Sequence, residues 1–203
     1  MEIKTVISII AILLLFIGYV PYIKDTIAGS TRPHIFSFIL WSLTTFIIFA
    51  LQLKSGAGVG AWVTFAIGLM MLFVLVLSFK NGKKDITFID WVFLLIALAA
   101  IPIWLLAKQP IISIILLVLI DVLAFVPAMR KSWVDPWSET LILHALNVLR
   151  YVLATVALVE LNFITGLSPI VSLIANIIFT GLLITRRKYL QNMMLNSPLK
   201  QLT

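Results

Sequence analysis

Ionisable side chains inside long apolar segments are the residues of this chain that could do chemistry. Asp121 lies in the apolar run 116–125, and His144 and Arg150 lie in the apolar segment 138–159. Burying a charged group at bilayer depth costs free energy, so each of these residues is expected to have a partner, a ligand or a role in proton transfer. Asp121 and His144 are therefore candidates for proton coupling, and Arg150 is a candidate clamp for a substrate carboxylate.

Polar side chains continue along the same helix. His144, Asn147 and Tyr151 stand at i, i+3 and i+7 and share one helix face, with Arg150 beside it. Asn176 lies midway along the next apolar segment. We predict that these five residues contribute to a substrate-binding site. A structural role for His144, as a packing residue held by hydrogen bonds, stays open.

An ion pair between Asp121 and Arg150 is geometrically possible. The two residues differ in depth by about one helical turn, and helices that follow each other in sequence usually pack together. Such a pair is either structural, or part of a site in which Arg150 binds a carboxylate while Asp121 carries a proton. The sequence leaves both interpretations open.

Composition defines the class of protein. The 203 residues are 62% hydrophobic and 11% charged, whereas soluble domains average about 25% charged residues. This indicates an integral membrane protein and excludes a soluble enzyme, a nucleic-acid binder and a disordered chain. The net charge of +7 is explained by basic cytoplasmic loops. Without cysteine, the chain has no disulfide, thiol nucleophile or cysteine-ligated metal.

Seven apolar segments are each about long enough to span a bilayer. Eleven Lys and Arg residues fall on one side of these segments and three on the other, which predicts an outside N-terminus and a cytoplasmic C-terminus. Gly56, Gly58 and Gly60 predict a turn with close packing. The predicted segments are 3–23, 33–53, 58–79, 87–107, 110–129, 138–159 and 165–185.

An internal repeat relates the first three segments to the last three. A shift of 106 residues superposes their boundaries and places Pro21 on Pro127. The fourth segment gives both triplets the same orientation in the membrane. We predict a first repeat at 1–85, a linker helix at 86–108, a second repeat at 109–190 and a mobile tail at 191–203, within one all-α membrane domain.

This 3+1+3 layout resembles the SWEET sugar transporters and their relatives with paired PQ-loop motifs. In that family a Pro-Gln dipeptide marks the cytoplasmic end of the first helix of each triplet. Pro21 and Pro127 match the prolines, whereas Tyr22 and Ala128 stand at the glutamine positions.

The resemblance implies a seven-helix bundle with its substrate between the triplets. It makes Pro21 and Pro127 hinges, because a proline leaves a helix without one hydrogen bond. SWEET-like transporters also place a Trp and an Asn around the substrate, and Trp41 and Asn176 match these residues. We therefore add Trp41 to the predicted substrate-binding residues.

The function we expect is transport of a small polar metabolite, such as a sugar, amino acid or vitamin, by alternating access, either passive or proton-coupled. The alternative is a non-transporting seven-helix sensor or scaffold. A retinal protein would need a lysine in 165–185, which has none, and no motif of an intramembrane enzyme is present.

We accordingly expect no catalytic residue, cofactor, bound metal or nucleic-acid partner. The expected partners are a small-molecule substrate and membrane lipids, and the sequence is compatible with a homo-oligomer. We expect a multi-pass protein of the inner membrane of a bacterium.

Overall fold

Long apolar runs bounded by charge, glycine and proline form helices throughout the chain. The computed structural model describes residues 2–81, 86–107 and 109–195. Each of the seven predicted segments is helical within these residues. The helices are α1 (Glu2–Ala28), α2 (Ile35–Lys54), α3 (Ala61–Asn81), α4 (Phe88–Ala107), α5 (Pro110–Val134), α6 (Leu141–Ala157) and α7 (Phe163–Leu195).

Two helix boundaries differ from the sequence prediction in an informative way. α7 continues ten residues past the predicted end at 185, because Arg186 and Arg187 donate from their side chains to the carbonyls of Trp133 and Pro136. Residues 191–195 of the predicted tail are therefore helical, and residues 196–203 lie outside the described part of the chain. α1 likewise continues past Pro21 to Ala28.

The helices are apolar on their outward faces as well as inside. Five of them are long and apolar enough to cross a membrane, namely α1, α2, α5, α7 and α3 with the short 3-10 helix Gly58–Gly60 before it. α6 and the Phe88–Ala99 part of α4 are shorter apolar helices. Exposed large side chains such as Leu13, Ile17, Ile174 and Ile178 suit contact with lipid. The chain is thus a multi-pass membrane protein by length and composition.

Six helices pack into a closed ring. α3 packs between α1 and α2, and α7 packs between α5 and α6. The two groups of three meet at two seams, where α1 packs on α6 and α2 packs on α5. α4 packs mainly against α5 and also contacts α2. We call α1–α3 the first half and α5–α7 the second half.

Polar contacts join the halves where α1 and α5 end and α2 and α6 begin, which we call the basic end. Thr31 and Thr140 share a hydrogen bond of 2.6 Å between their hydroxyls. The Thr140 hydroxyl also lies 2.7 Å from Asp25 Oδ2. Arg32 pairs with Asp135 at 2.6 Å. These contacts close the ring at this end.

Backbone hydrogen bonds join the halves where α2 and α6 end, which we call the opposite end. Val159 N donates to Ala57 O at 3.0 Å, and Glu160 N donates to Gly56 O at 3.1 Å. Gly56 has φ 86°, and a Cβ on Gly60 would lie 2.8 Å from Ala157 O. The glycines therefore make the predicted turn and close packing.

Candidate functional site

A cavity lies inside the ring, between the two halves. The cavity has a volume of about 60 Å³, which is room for a few water molecules. All six ring helices contribute to its wall. Its lining comprises Tyr19, Tyr22, His34, Phe38, Trp41, Thr45, Thr64, Ile67, Met71, Asp121, Phe125, Ala128, Glu139, Leu143, His144, Asn147, Tyr151, Ala154, Ser168, Pro169, Ser172, Asn176 and Phe179.

The structure brings six of the predicted site residues to this one cavity. Trp41 lies on α2, Asp121 on α5 and Asn176 on α7. His144, Asn147 and Tyr151 line it from one face of α6, as their spacing indicates. Arg150 is buried and bonded to Asn147, but it does not line the cavity. Pro21 and Pro127 lie within helices that continue on both sides of them, outside the cavity wall.

Hydrogen bonds connect the polar residues of α6 and α7. Asn147 Nδ2 donates to Asn176 Oδ1 at 3.2 Å, and Asn176 Nδ2 donates to the carbonyl of Ser172 at 2.9 Å. The oxygen of Asn147 accepts from Arg150 Nε at 3.0 Å. Both amides are buried, so this chain of bonds fixes which atoms face the cavity.

His144 links that chain to an acidic residue at the basic end. Its Nδ1 lies 3.4 Å from Asn176 Oδ1, and its Nε2 lies 3.5 Å from Glu139 Oε2. This position connects the lining of the cavity to the basic end.

Glu139 and Lys131 form a buried ion pair that the sequence did not predict. Lys131 Nζ lies 2.5 Å from Glu139 Oε1, and both side chains are 3% exposed. Burial acts to raise the pKa of Glu139, but the charge of Lys131 and the proximity of His144 bring that pKa below its usual value. Lys131 also donates to the carbonyl of Arg32. The pair thus holds α5, the start of α6 and the start of α2 together.

Asp90 and His34 form a second unpredicted cluster at the basic end. Asp90 is fully buried and pairs with Arg130 at 2.7 Å. His34 Nε2 lies 3.4 Å from the same carboxylate. Burial lowers the pKa of His34 below its ordinary value, although the nearby Asp90 opposes the shift. Of these residues the sequence analysis used only Arg130, as one of the basic residues that set the topology. Pairing between distant loops leaves no local signal in the sequence.

The Asp121–Arg150 ion pair that the sequence left possible does not form. Asp121 Oδ1 accepts a hydrogen bond from the hydroxyl of Thr44 on α2. In the described part of the chain no ion pair joins Asp121 to Arg150. The assumption that α5 and α6 are neighbours failed, because α7 packs between them. Asp121 therefore faces the α2–α5 seam, across the ring from the seam of α1 and α6.

Aromatic rings form the wall contributed by the first half. Trp41 Nε1 donates to the carbonyl of Asp121 at 3.1 Å, which anchors the indole to α5. Its ring packs edge to face on Phe38 and Phe125, with centroids 5.4 Å and 4.7 Å away. Tyr19 and Tyr22 continue this surface along α1. The second half adds Phe125, Tyr151 and Phe179 to the lining, so aromatic rings face the cavity from both halves, whereas most of its polar groups lie in the second half.

Comparisons with protein-family models, curated proteins and solved structures find no match to this chain. Among the described residues, no group of three or more His, Cys, Asp or Glu side chains is placed to hold a metal ion. The geometry of the cavity and of the two ends is therefore the basis for a functional assignment.

Proposed function

We propose that this protein is a carrier or facilitator of a small polar metabolite, working by alternating access between its two halves. The observation that carries the proposal is the cavity lined by all six ring helices, with contacts between the halves at both ends. A site between two bodies that meet on either side of it is the arrangement alternating access requires. Carriage of a solute, rather than catalysis, is the activity proposed.

A repeat of the fold supports this assignment. Five pairs of cavity-lining residues are separated by the same 106 positions: Tyr19 and Phe125, Tyr22 and Ala128, Phe38 and His144, Trp41 and Asn147, and Thr45 and Tyr151. The helix order α1–α3–α2 in the first half corresponds to α5–α7–α6 in the second. Two parallel halves around an axis along the membrane normal, as in the resemblance to SWEET transporters, account for both regularities.

Both ends are held by side-chain and backbone contacts between the halves. The basic end has the Thr31–Thr140 bond and the Arg32–Asp135 pair. At the opposite end Lys4 Nζ donates to the carbonyl of Val159 at 2.9 Å, beside the backbone bonds from Val159 and Glu160. Release of one end while the other stays closed exposes the cavity to one side of the membrane. With the basic end in the cytoplasm, as the distribution of Lys and Arg indicates, its contacts form the inner gate.

Crosslinking tests this mechanism, because a chain without cysteine accepts engineered pairs cleanly. Thr31→Cys with Thr140→Cys spans the basic end, and Ala57→Cys with Val159→Cys spans the opposite end. Phe49→Cys with Trp62→Cys, whose native rings lie 5.5 Å apart within the first half, is the matched control. Uptake into proteoliposomes should be lost on oxidation of either spanning pair and restored by reductant.

The control pair should keep its uptake after oxidation. If both spanning pairs crosslink and uptake continues, the halves do not alternate. If a broad panel of sugars, amino acids, carboxylates and vitamins is never taken up, the sensor or scaffold assignment replaces transport.

Proton coupling is tested separately. We propose His144 and Asp121 as the groups that would carry the proton. Uptake should then follow an imposed pH gradient in wild type and ignore it in His144→Gln. Uptake that ignores the gradient in wild type would identify a passive facilitator.

A further inference from the structure

Arg150 is the largest fully buried side chain of the described residues, with 1% of its surface exposed. Its Nε donates to Asn147, but neither Nη1 nor Nη2 has a hydrogen-bond partner among the described residues. A guanidinium stays protonated in proteins, so four N–H donors of a buried cation lack acceptors. Buried charges are ordinarily paired, so the Arg150 guanidinium is expected to have a further hydrogen-bond acceptor.

The nearby carboxylates of the chain are engaged elsewhere. Glu139 pairs with Lys131 and contacts His144, and Asp121 accepts from Thr44 at the other seam. Neither carboxylate therefore supplies the missing acceptor. We propose that a ligand supplies it, that Arg150 is the anion-binding group at the central cavity, and that the ligand is a small monocarboxylate with an apolar or aromatic body.

The charges around the cavity favour one carboxylate over a dianion. Arg150 offers a planar fork of donors, which matches the two oxygens of a carboxylate. One unpaired cation balances one negative charge. The carboxylates of Asp121 and Glu139 line the same cavity and oppose a second negative charge on the ligand.

Aromatic neighbours indicate the body that carries this carboxylate. The Tyr151 ring lies beneath the guanidinium, with Arg150 Cζ 4.1 Å from its centroid, and holds the guanidinium in place by a cation–π contact. Trp41, Phe38 and Phe125 form the aromatic wall contributed at the α2–α5 seam. A flat or apolar body would bury its surface there. Arg150 lies outside the cavity lining, so the Tyr151 ring must swing aside for the carboxylate to reach the guanidinium.

This inference names the substrate class of the proposed carrier and so rests on it. Binding is tested first, on the purified full chain in detergent, by equilibrium dialysis and thermal unfolding. The probes are benzoate, its neutral isostere benzamide and the dianion terephthalate, at constant ionic strength. Benzoate should bind at least tenfold more tightly than either of the others. Equal affinity for benzoate and benzamide would overturn the proposal.

Variants of Arg150 assign the effect to this residue. Arg150→Met should abolish the preference for benzoate and leave the ligand-free Tm at or above that of wild type, because an unpaired buried charge is removed. If Arg150 were purely structural, Arg150→Met would have a lower Tm than wild type, and wild type itself would show no preference for benzoate. Arg186→Gln is the matched control. It removes an arginine of α7 that does not line the cavity, and it should keep the preference for benzoate.

Arg150→Lys keeps the experiment decisive if the methionine variant does not fold. A lysine retains the charge but loses the planar fork, so benzoate affinity should fall about tenfold. Undiminished affinity would contradict the assignment. If benzoate binding depends on Arg150 but benzoate is not taken up into proteoliposomes, the anion-binding site is supported and the carrier function is refuted. If a neutral solute is taken up and benzoate shows no preferential binding, the carrier function is supported and the anion-binding site is refuted.

Discussion

The two halves of the ring share a helix arrangement but bring different chemistry to the cavity. The first half contributes mainly rings and hydroxyls, from Tyr19, Tyr22, Phe38, Trp41 and Thr45. The second half also contributes rings, from Phe125, Tyr151 and Phe179, and it adds the carboxylates of Asp121 and Glu139 and the amides of Asn147 and Asn176. The same helix arrangement thus carries most of the polar groups of the cavity in its second half.

Residues 106 positions apart show this difference between the halves directly. Phe38 corresponds to His144 and Trp41 to Asn147 under the shift of 106 residues, and all four line the cavity. Arg150 has Thr44 as its equivalent, which donates to Asp121 instead. Matched substitutions in the two halves can therefore separate the role of a position in the scaffold from the chemistry of its side chain.

The largest expected effect comes from breaking the buried ion pair of the second half. Lys131→Met leaves Glu139 as an uncompensated buried charge, which should lower the free energy of unfolding by about 3–5 kcal/mol. Chemical denaturation in detergent measures the change. The double variant Lys131→Met with Glu139→Gln should recover most of the loss. If it remains as unstable as the single variant, the pair is not the source of the effect.

Asn176→Leu should have the next largest effect. It removes the acceptor of Asn147 and the neighbour of His144, and an unpaired buried polar group costs about 1–3 kcal/mol. Uptake should also fall at least tenfold. Met70→Leu is the matched control, since Met70 is the equivalent position in the first half, and it should change neither quantity appreciably. Similar losses in both variants would show that the halves are functionally alike.

Glycines at the opposite end provide a third matched pair. A Cβ at Gly60 would meet the backbone of Ala157 and Leu158 at 2.8 Å, whereas at its equivalent Gly166 it would meet the flexible side chain of Leu161 at 2.7 Å. Gly60→Ala should therefore cost about 1–3 kcal/mol and Gly166→Ala less. Thermal unfolding ranks the two, and the reverse order would contradict the close packing at Gly60.

The smallest effect concerns pH. Because the folded-state pKa of His34 lies below its ordinary value, the unfolded chain binds the proton more readily. The contribution of His34 to stability is then fully present above about pH 6.5 and falls as the pH drops toward the lowered pKa. His34→Gln should flatten the decline of Tm between pH 7 and 5. Thr140→Ser, at the equivalent position, should leave that slope unchanged, and an unchanged slope in His34→Gln would exclude His34 as its origin.

Much of the fold followed from local sequence. Runs of apolar residues predicted seven helices, all of which the structure contains, because hydropathy alone separates such segments from their loops. The face shared by His144, Asn147 and Tyr151 followed from helical spacing. These three residues line one cavity with Trp41 and Asn176, which are the residues matched to the Trp and Asn of the SWEET-like transporters.

Pairing between distant residues could not be predicted in the same way. The Asp121–Arg150 pair failed because α7 intervenes between α5 and α6, and order along the chain does not reveal that. The contacts of Asp90 with Arg130 and of Thr31 with Thr140 join residues 40 and 109 positions apart. Such contacts depend on which helices meet, so they become visible only in the folded chain.

Distances between the halves at each end test the central claim most directly. Spin labels at Lys24 and Val134 report on the basic end, and labels at Lys54 and Leu161 report on the opposite end; all four positions are exposed. Alternating access predicts that pulsed electron resonance in lipid nanodiscs finds two distances at each end, and that a condition lengthening one end shortens the other. A single unchanging distance at both ends, under every ligand and pH tested, would contradict a carrier that opens its halves in turn.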